Sequence, residues 1–309
     1  MTDSDPKLLL RTDVSLSRYS TFQIGGNARF FAEPAHLNEL QSLLAFARSE
    51  GIPVLGIGKG SNVLFPDQGF PGLVITFIHY EPKRIEFDPE HFVVTASSGV
   101  NLYRLALACR DAGFGGVEFL SHVPGTLGGA LMMNAGFSRT PGVKNEIGEL
   151  VEEITVLTPE GDIRILERSA LAFHYRKSGL EGHILLEAKL KLFWAEPEVI
   201  QREIEACFSY RNRVQDLRYP SAGSVFKNPE SGQGPAGQLI ERVGLKGHRI
   251  GNAMFSDKHG NFIVNLGGAR ASEVLGLIHL AQEKVLEKFG VPLEPEIRII
   301  RTEELAPQD

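Results

Sequence analysis

Apolar residues recur at helical spacing in several stretches of the chain. Leu37, Leu40, Leu43, Leu44 and Ala47 share one face, predicting a helix over 37–50 that Gly51 ends. Asn101 is placed to cap a second helix over 102–112, with Gly113 as its stop. Charged helical spacing follows over 198–213, and a short apolar face over 236–243. The clearest pattern spans 272–289, where Val274, Leu277, Ile278, Ala281, Val285 and Phe289 form one stripe before Gly290. Between these lie β-branched and aromatic runs that read as strands: 52–57, 73–77, 92–96, 184–193, 261–265 and 296–301. A turn at Pro159-Glu-Gly161 separates 154–157 from 163–166 and makes them a hairpin. Mixed β-α and β-β connections indicate the α+β class. A composition shift at Trp194-Ala-Glu-Pro197 puts a domain boundary near residue 198.

With 309 residues, 42% of them hydrophobic, the chain can bury large cores in two or three domains. Its net charge of -6 gives no electrostatic reason to bind nucleic acid. Any anionic ligand must be held by local basic groups. Cys109 and Cys207 form no metal-binding pattern, and no His/Cys cluster does, so no metal is expected. The opening Met-Thr-Asp-Ser-Asp-Pro-Lys has no apolar signal core, and no run approaches the roughly 18 apolar residues that span a bilayer. The expectation is a soluble cytoplasmic protein with reduced thiols.

Three segments carry candidate chemistry. In Gly56-Ile-Gly58-Lys59-Gly60-Ser61-Asn62, glycines let successive N–H groups face one anion, although by itself the stretch reads more readily as a plain tight turn. The spacing fits neither the dinucleotide fingerprint nor a P-loop. The second is Ser121-His-Val-Pro124-Gly125-Thr126-Leu-Gly128-Gly129-Ala-Leu-Met-Met-Asn134-Ala-Gly136, whose small residues either admit a flat ligand or simply pack. The third is Pro220-Ser-Ala-Gly-Ser224-Val-Phe-Lys227-Asn228-Pro229, with a lightly screened hydroxyl, a lysine and an amide, although a serine in a glycine turn is more often just a turn residue. By themselves Arg176 reads as a surface ion pair, Glu296 as a solvent-facing carboxylate and Lys246 as a loop lysine.

Together the segments 21–26, 58–64, 124–136, 175–178, 221–229 and 293–298 occur in the order found in one flavoenzyme family, and the chain resembles it over nearly its whole length. That family is the UDP-N-acetylenolpyruvoylglucosamine reductases, or UDP-N-acetylmuramate dehydrogenases. The resemblance implies an FAD-binding domain of the vanillyl-alcohol-oxidase (PCMH) type over 1–198, in two α+β subdomains of about 1–78 and 79–198. A C-terminal α+β substrate-binding domain would span 199–309. It implies Gly58, Lys59, Gly60, Ser61 and Asn62 for the FAD diphosphate, and Pro124, Gly125, Thr126, Gly128, Gly129 and Asn134 for the second flavin contact. Arg176, Ser224 and Glu296 match the catalytic residues, and Lys227, Asn228, Lys246 and His259 the nucleotide-sugar contacts. The implied reaction reduces UDP-N-acetylglucosamine enolpyruvate with NADPH, through non-covalent FAD, in a monomer. The short interval before Ser224 is similar to the compact subtype without a substrate-covering tyrosine loop. Departures are His122-Val123 in the second segment and Val143-Lys-Asn-Glu-Ile-Gly. The competing readings are another FAD-dependent oxidase on the same scaffold and a non-catalytic nucleotide-sugar sensor.

Overall fold

The computed structural model describes residues 6–137, 139, 145–230 and 232–301. Met1 to Asp5 and Val143-Lys144, which enter the sequence reading, lie outside them. The fold has two compact units, one formed by 1–10, 32–59 and 75–211, the other by 11–31, 60–74 and 212–309.

The first unit is built on a five-stranded antiparallel sheet in the order Ile163–Glu167, Val151–Leu157, Ile184–Lys191, Val93–Ser97, Ile85–Asp88. The expected hairpin is its first pair, with Ile163 opposite Leu157. Helix Leu102–Ala112 packs its Leu105, Ala106 and Cys109 into the same core as Val94, Ile154, Val156, Ala188 and Leu190. Asn101 Oδ1 accepts from the N–H groups of Tyr103 and Arg104, and Gly113 closes the helix at φ 73, the left-handed C-cap its sequence predicts. The strand predicted over 184–193 stops at Lys191, and Phe193–Trp194 pairs separately with Phe114–Gly115.

The second unit has a four-stranded sheet in the order Ser221–Ser224, Phe262–Asn265, Ala253–Phe255, Arg249–Ile250. Helix Ala271–Phe289 buries Val274, Leu277, Ile278, Ala281 and Val285 with Leu239, Phe226 and Phe255. Phe22, Ile24 and Leu64 belong to that same core. The element pattern suggests contiguous domains; the compact units are interleaved, because these early apolar residues find their burial among late ones. Polar ties follow the same path. Ala271 and Ser272 donate their N–H groups to the Asp67 carboxylate at 2.7 and 3.0 Å, and Asn265 donates to the Phe22 carbonyl at 3.0 Å. The strand predicted over 296–301 shortens to Arg298–Ile299, paired in parallel with Val63–Leu64. Strands Arg11–Ser15 and Asn27–Ala32 pair antiparallel and carry no period the sequence reading could use.

Candidate active site

In the first unit the two glycine segments meet. Strand Val54–Ile57 delivers Gly58 against Thr126, so that a Cβ at Gly58 would sit 2.5 Å from Thr126 Oγ1. Thr126 is also the N-cap of the short helix Leu127–Met132, its Oγ1 accepting from Gly129 N–H. Gly128 donates to the Ser98 carbonyl at 2.8 Å, and a Cβ there would lie 2.9 Å from Ser98 Cβ. Gly125 offers its carbonyl to Leu102 N–H at 3.2 Å and to Asn101 Nδ2 at 3.3 Å. Pro124 is half-buried and Lys59 exposed. Beside this cradle the hydroxyls of Ser98 and Ser121 and Nδ1 of His122 are buried with no hydrogen-bond partner. Burial, helped by the Arg211 charge, pulls the His122 pKa down to about 4, so the ring is neutral near pH 7.

Asn134 is the hub of this unit's polar interior. Its Nδ2 donates to Glu146 Oε2 at 2.8 Å and to the His174 carbonyl at 2.9 Å, while its Oδ1 accepts from Gly148 N–H at 2.9 Å. The side chain is therefore committed to the protein. Its backbone carbonyl and that of Gly136 accept from Arg176 Nη1 at 3.4 Å and Nη2 at 3.1 Å. Arg176 stands at the tip of a tight turn closed by reciprocal bonds between His174 and Lys177. Both Asn134 (φ 42) and Arg176 (φ 58) occupy the left-handed region that non-glycine residues avoid. Such strain persists where surrounding bonds over-determine it, and it clusters at functional sites. These carbonyl anchors orient the guanidinium.

In the second unit Gly60, at φ 61, passes so close to Tyr19 that a Cβ would lie 2.0 Å from its carbonyl oxygen. The half-buried Ser61 and Asn62 follow it. Asn62 Nδ2 donates to the Glu296 carbonyl at 3.1 Å, and Arg298 N–H returns to the Asn62 carbonyl at 2.9 Å. Glu296 N–H in turn donates to the Val225 carbonyl at 2.7 Å, next to Ser224. Ser224 pairs with Phe262 at the end of a strand whose register slips between Ser221 and Ser224, with Gly223 at φ 79. A bulge of this kind bends a strand and re-aims its side chains.

The nucleotide-sugar candidates fall in the same unit. Lys227 pairs with the exposed Glu294 rather than standing beside Ser224 as a lone cation. Asn228 Oδ1 accepts from Ala236 N–H at 3.1 Å, at the start of helix Ala236–Arg242. Lys246 pairs with Glu241 at 3.2 Å. His259 Nδ1 accepts from Asn261 N–H at 3.2 Å, which leaves Nε2 carrying the proton of the neutral ring. Burial first, then the nearby Lys246 charge, lowers its pKa.

Among the described residues no group of three metal-ligating side chains occurs, and no helix is long and apolar enough to cross a membrane.

Comparison with known proteins bears on the whole chain. Residues 28–167 match the model of the FAD binding domain, and 215–300 that of the C-terminal domain of UDP-N-acetylenolpyruvoylglucosamine reductase. The enzyme of that name from Synechococcus sp. is 41% identical over 94% of this chain and 91% of its own length. That from Caldicellulosiruptor bescii is 42% identical over 93% of this chain and 90% of its own. The crystal structure of the Thermus caldophilus enzyme superposes with a TM-score of 0.75 at 34% identity, over 94% of this chain and all of the other.

Proposed function

The chain belongs to the UDP-N-acetylenolpyruvoylglucosamine reductase family, and from that premise we infer that it reduces UDP-N-acetylglucosamine enolpyruvate to UDP-N-acetylmuramate in peptidoglycan synthesis. FAD, when bound, would supply the hydride chemistry for the enolpyruvyl ether, with NADPH as the reductant. The residues present fit such a group. The buried Ser98 and Ser121 hydroxyls and His122 Nδ1 have no hydrogen-bond partner in the protein, and Ser98 packs directly against Gly128. Lys59, Gly60, Ser61 and Asn62 complete the diphosphate loop in this reading, and Pro124, Gly125, Gly129 and the backbone of Asn134 the second contact. Attachment is non-covalent.

The chain's own groups handle the charge and the proton. As hydride arrives at the methylene carbon, negative charge develops at the carbon beside the carboxylate. Arg176 balances that charge, since a guanidinium stays protonated and grips a carboxylate in a fork. Glu296 hydrogen-bonds the enol-like oxygen. Ser224 Oγ delivers the proton to the carbon. Serine is a weak acid, so it serves only a strongly basic centre with a cation near it. Lys227, Asn228, Lys246 and His259 hold the nucleotide sugar. What supports the Ser224 and Glu296 roles above all is the 2.7 Å bond from Glu296 N–H to the Val225 carbonyl, which lays the segments carrying the two residues side by side.

As functional parts, which cut across the two compact units, flavin binding is assigned to 1–198 and substrate binding to 199–309, in a monomer that works in the cytoplasm and engages neither membrane nor nucleic acid. The test is NADPH oxidation by the purified flavoprotein with and without UDP-N-acetylglucosamine enolpyruvate. Turnover only with the nucleotide sugar supports the reading. Steady oxygen-driven turnover without it points to an oxidase, and no turnover with either to a sensor.

A further inference from the structure

Ser224 owes its place to a strand that leaves its ladder. Phe226 faces Pro295 across an antiparallel bridge whose bonds run through its neighbours, Lys227 N–H to the Glu294 carbonyl at 2.9 Å and Glu296 N–H to the Val225 carbonyl at 2.7 Å. In such a pair the central residue turns its own N–H and C=O to the other side. There the Asn261 side chain takes both: its Oδ1 accepts from Phe226 N–H at 2.9 Å and its Nδ2 donates to the Phe226 carbonyl at 2.8 Å. The Asn261 backbone carbonyl also accepts from Val225 N–H at 2.9 Å. The primary amide stands in for a missing length of strand. Asn261 is only 4% exposed, so these bonds form away from water, where an unmet polar group is costly. An ionised aspartate lacks the donor, and glutamine is a methylene too long.

We propose that Asn261 is a positioning residue for the proton-delivering step, setting the Ser224–Phe226 segment against the chain that carries Glu296. The proposal rests on the functional reading above. The bond to His259 Nδ1 comes from the Asn261 backbone N–H, so a change of the Asn261 side chain leaves that nucleotide-sugar contact in place.

The test uses the flavin-loaded Asn261→Asp variant and stopped-flow absorbance of both half-reactions between pH 5.5 and 9. At high pH the introduced carboxylate sets an oxygen against the Phe226 carbonyl. Reoxidation of the NADPH-reduced flavin by the enolpyruvyl substrate then slows about 10- to 100-fold, the scale of a small misplacement of reacting groups. Flavin reduction by NADPH and the substrate Kd, read from the flavin absorbance change, stay within about threefold of wild type on the same argument. As pH falls the buried carboxyl protonates, regains a donor, and reoxidation recovers toward the wild-type rate. That recovery, in protein shown to be fully folded by circular dichroism, is a signature that a purely structural role does not produce. Wild-type reoxidation at every pH, or equal slowing of both half-reactions, overturns the proposal. If the aspartate variant does not retain flavin, Asn261→Ala carries the same two-step comparison, and loss of flavin in both assigns Asn261 to stability alone. Failure of the wild-type protein itself to be reoxidised by the substrate would overturn the functional reading instead.

Discussion

Asn62 donates its side-chain N–H to the main-chain carbonyl of Glu296, at 3.1 Å and across 234 positions of sequence. The last residue of the first glycine loop thus holds the backbone of the proposed enol-binding carboxylate. The parallel pairing of Arg298–Ile299 with Val63–Leu64 follows directly on that bond.

Ser224→Ala separates the half-reactions. Ser224 is half-buried at the end of its strand, and alanine fits there without added bulk. Flavin reduction by NADPH should keep a near-normal rate. Reoxidation by the enolpyruvyl substrate should fall by about 10²–10⁴-fold, toward the upper half, because a closed site gives water little chance to replace the lost acid. Equal slowing of both steps would make Ser224 a structural residue.

Arg176→Lys keeps the charge and loses the planar fork that reaches both the Asn134 and Gly136 carbonyls. Substrate reduction should drop by roughly one to three orders of magnitude, as when one charge-stabilising donor is removed. Single-turnover reoxidation is the measurement, and wild-type rates would take Arg176 out of the site.

Gly58→Ala drives a methyl into Thr126 Oγ1, 2.5 Å away, while Thr126 Cβ would be an ordinary neighbour at 3.6 Å. The variant should purify with less FAD and a lower Tm. Thr126→Ala alone should cost about 1 kcal/mol through the lost helix cap. Combined, the two should be less harmful than their sum, since the second removes the atom that the first strikes. Flavin content and thermal melts of the four proteins check this, and strict additivity would show that the contact is not the cause.

Asp216 provides a pH prediction. Hydrogen bonds from Arg218 chiefly, and from Ser256, hold its carboxyl down to about 2 from an ordinary 3.8. A depressed folded-state pKa adds stability above the unfolded value, and that stability is lost as pH falls from about 3.8 toward 2. Asp216→Asn should therefore lower Tm at pH 7, and the gap from wild type should close on acidification. A gap unchanged down to pH 2 would mean that the charge contributes nothing.

Local signals in the sequence were reliable where local physics decides. Asn101 and Gly113 bracket a helix because a side-chain acceptor and a left-handed stop act within one turn, and the stripe from Val274 to Phe289 holds because one face meets one core. Both glycine segments stand out in the sequence, and Ser224, Arg176 and Glu296 enter as candidates through the order of the segments. The interleaving of the units was not legible, since no spacing tells that Phe22 and Leu64 will share a core with Leu277. Nor was the strained backbone at Asn134 and Arg176, which depends on bonds from residues 146, 148 and 174. Asn261 and Ser98 escaped notice for the same reason: each is an ordinary polar residue until its neighbours arrive from elsewhere in the chain.

The shared core of Phe22, Ile24 and Leu64 with the helix Ala271–Phe289 also sets a schedule for the nascent chain. A ribosome adding roughly 5–20 residues per second needs on the order of tens of seconds to reach that helix after the early residues emerge. For that interval Phe22 and its companions lack their native burial and are exposed to non-native contacts. Meanwhile the strands and helices of 75–211 find their partners almost wholly within their own stretch. Synthesis order therefore leaves Phe22, Ile24 and Leu64 waiting for a helix that is made long after them.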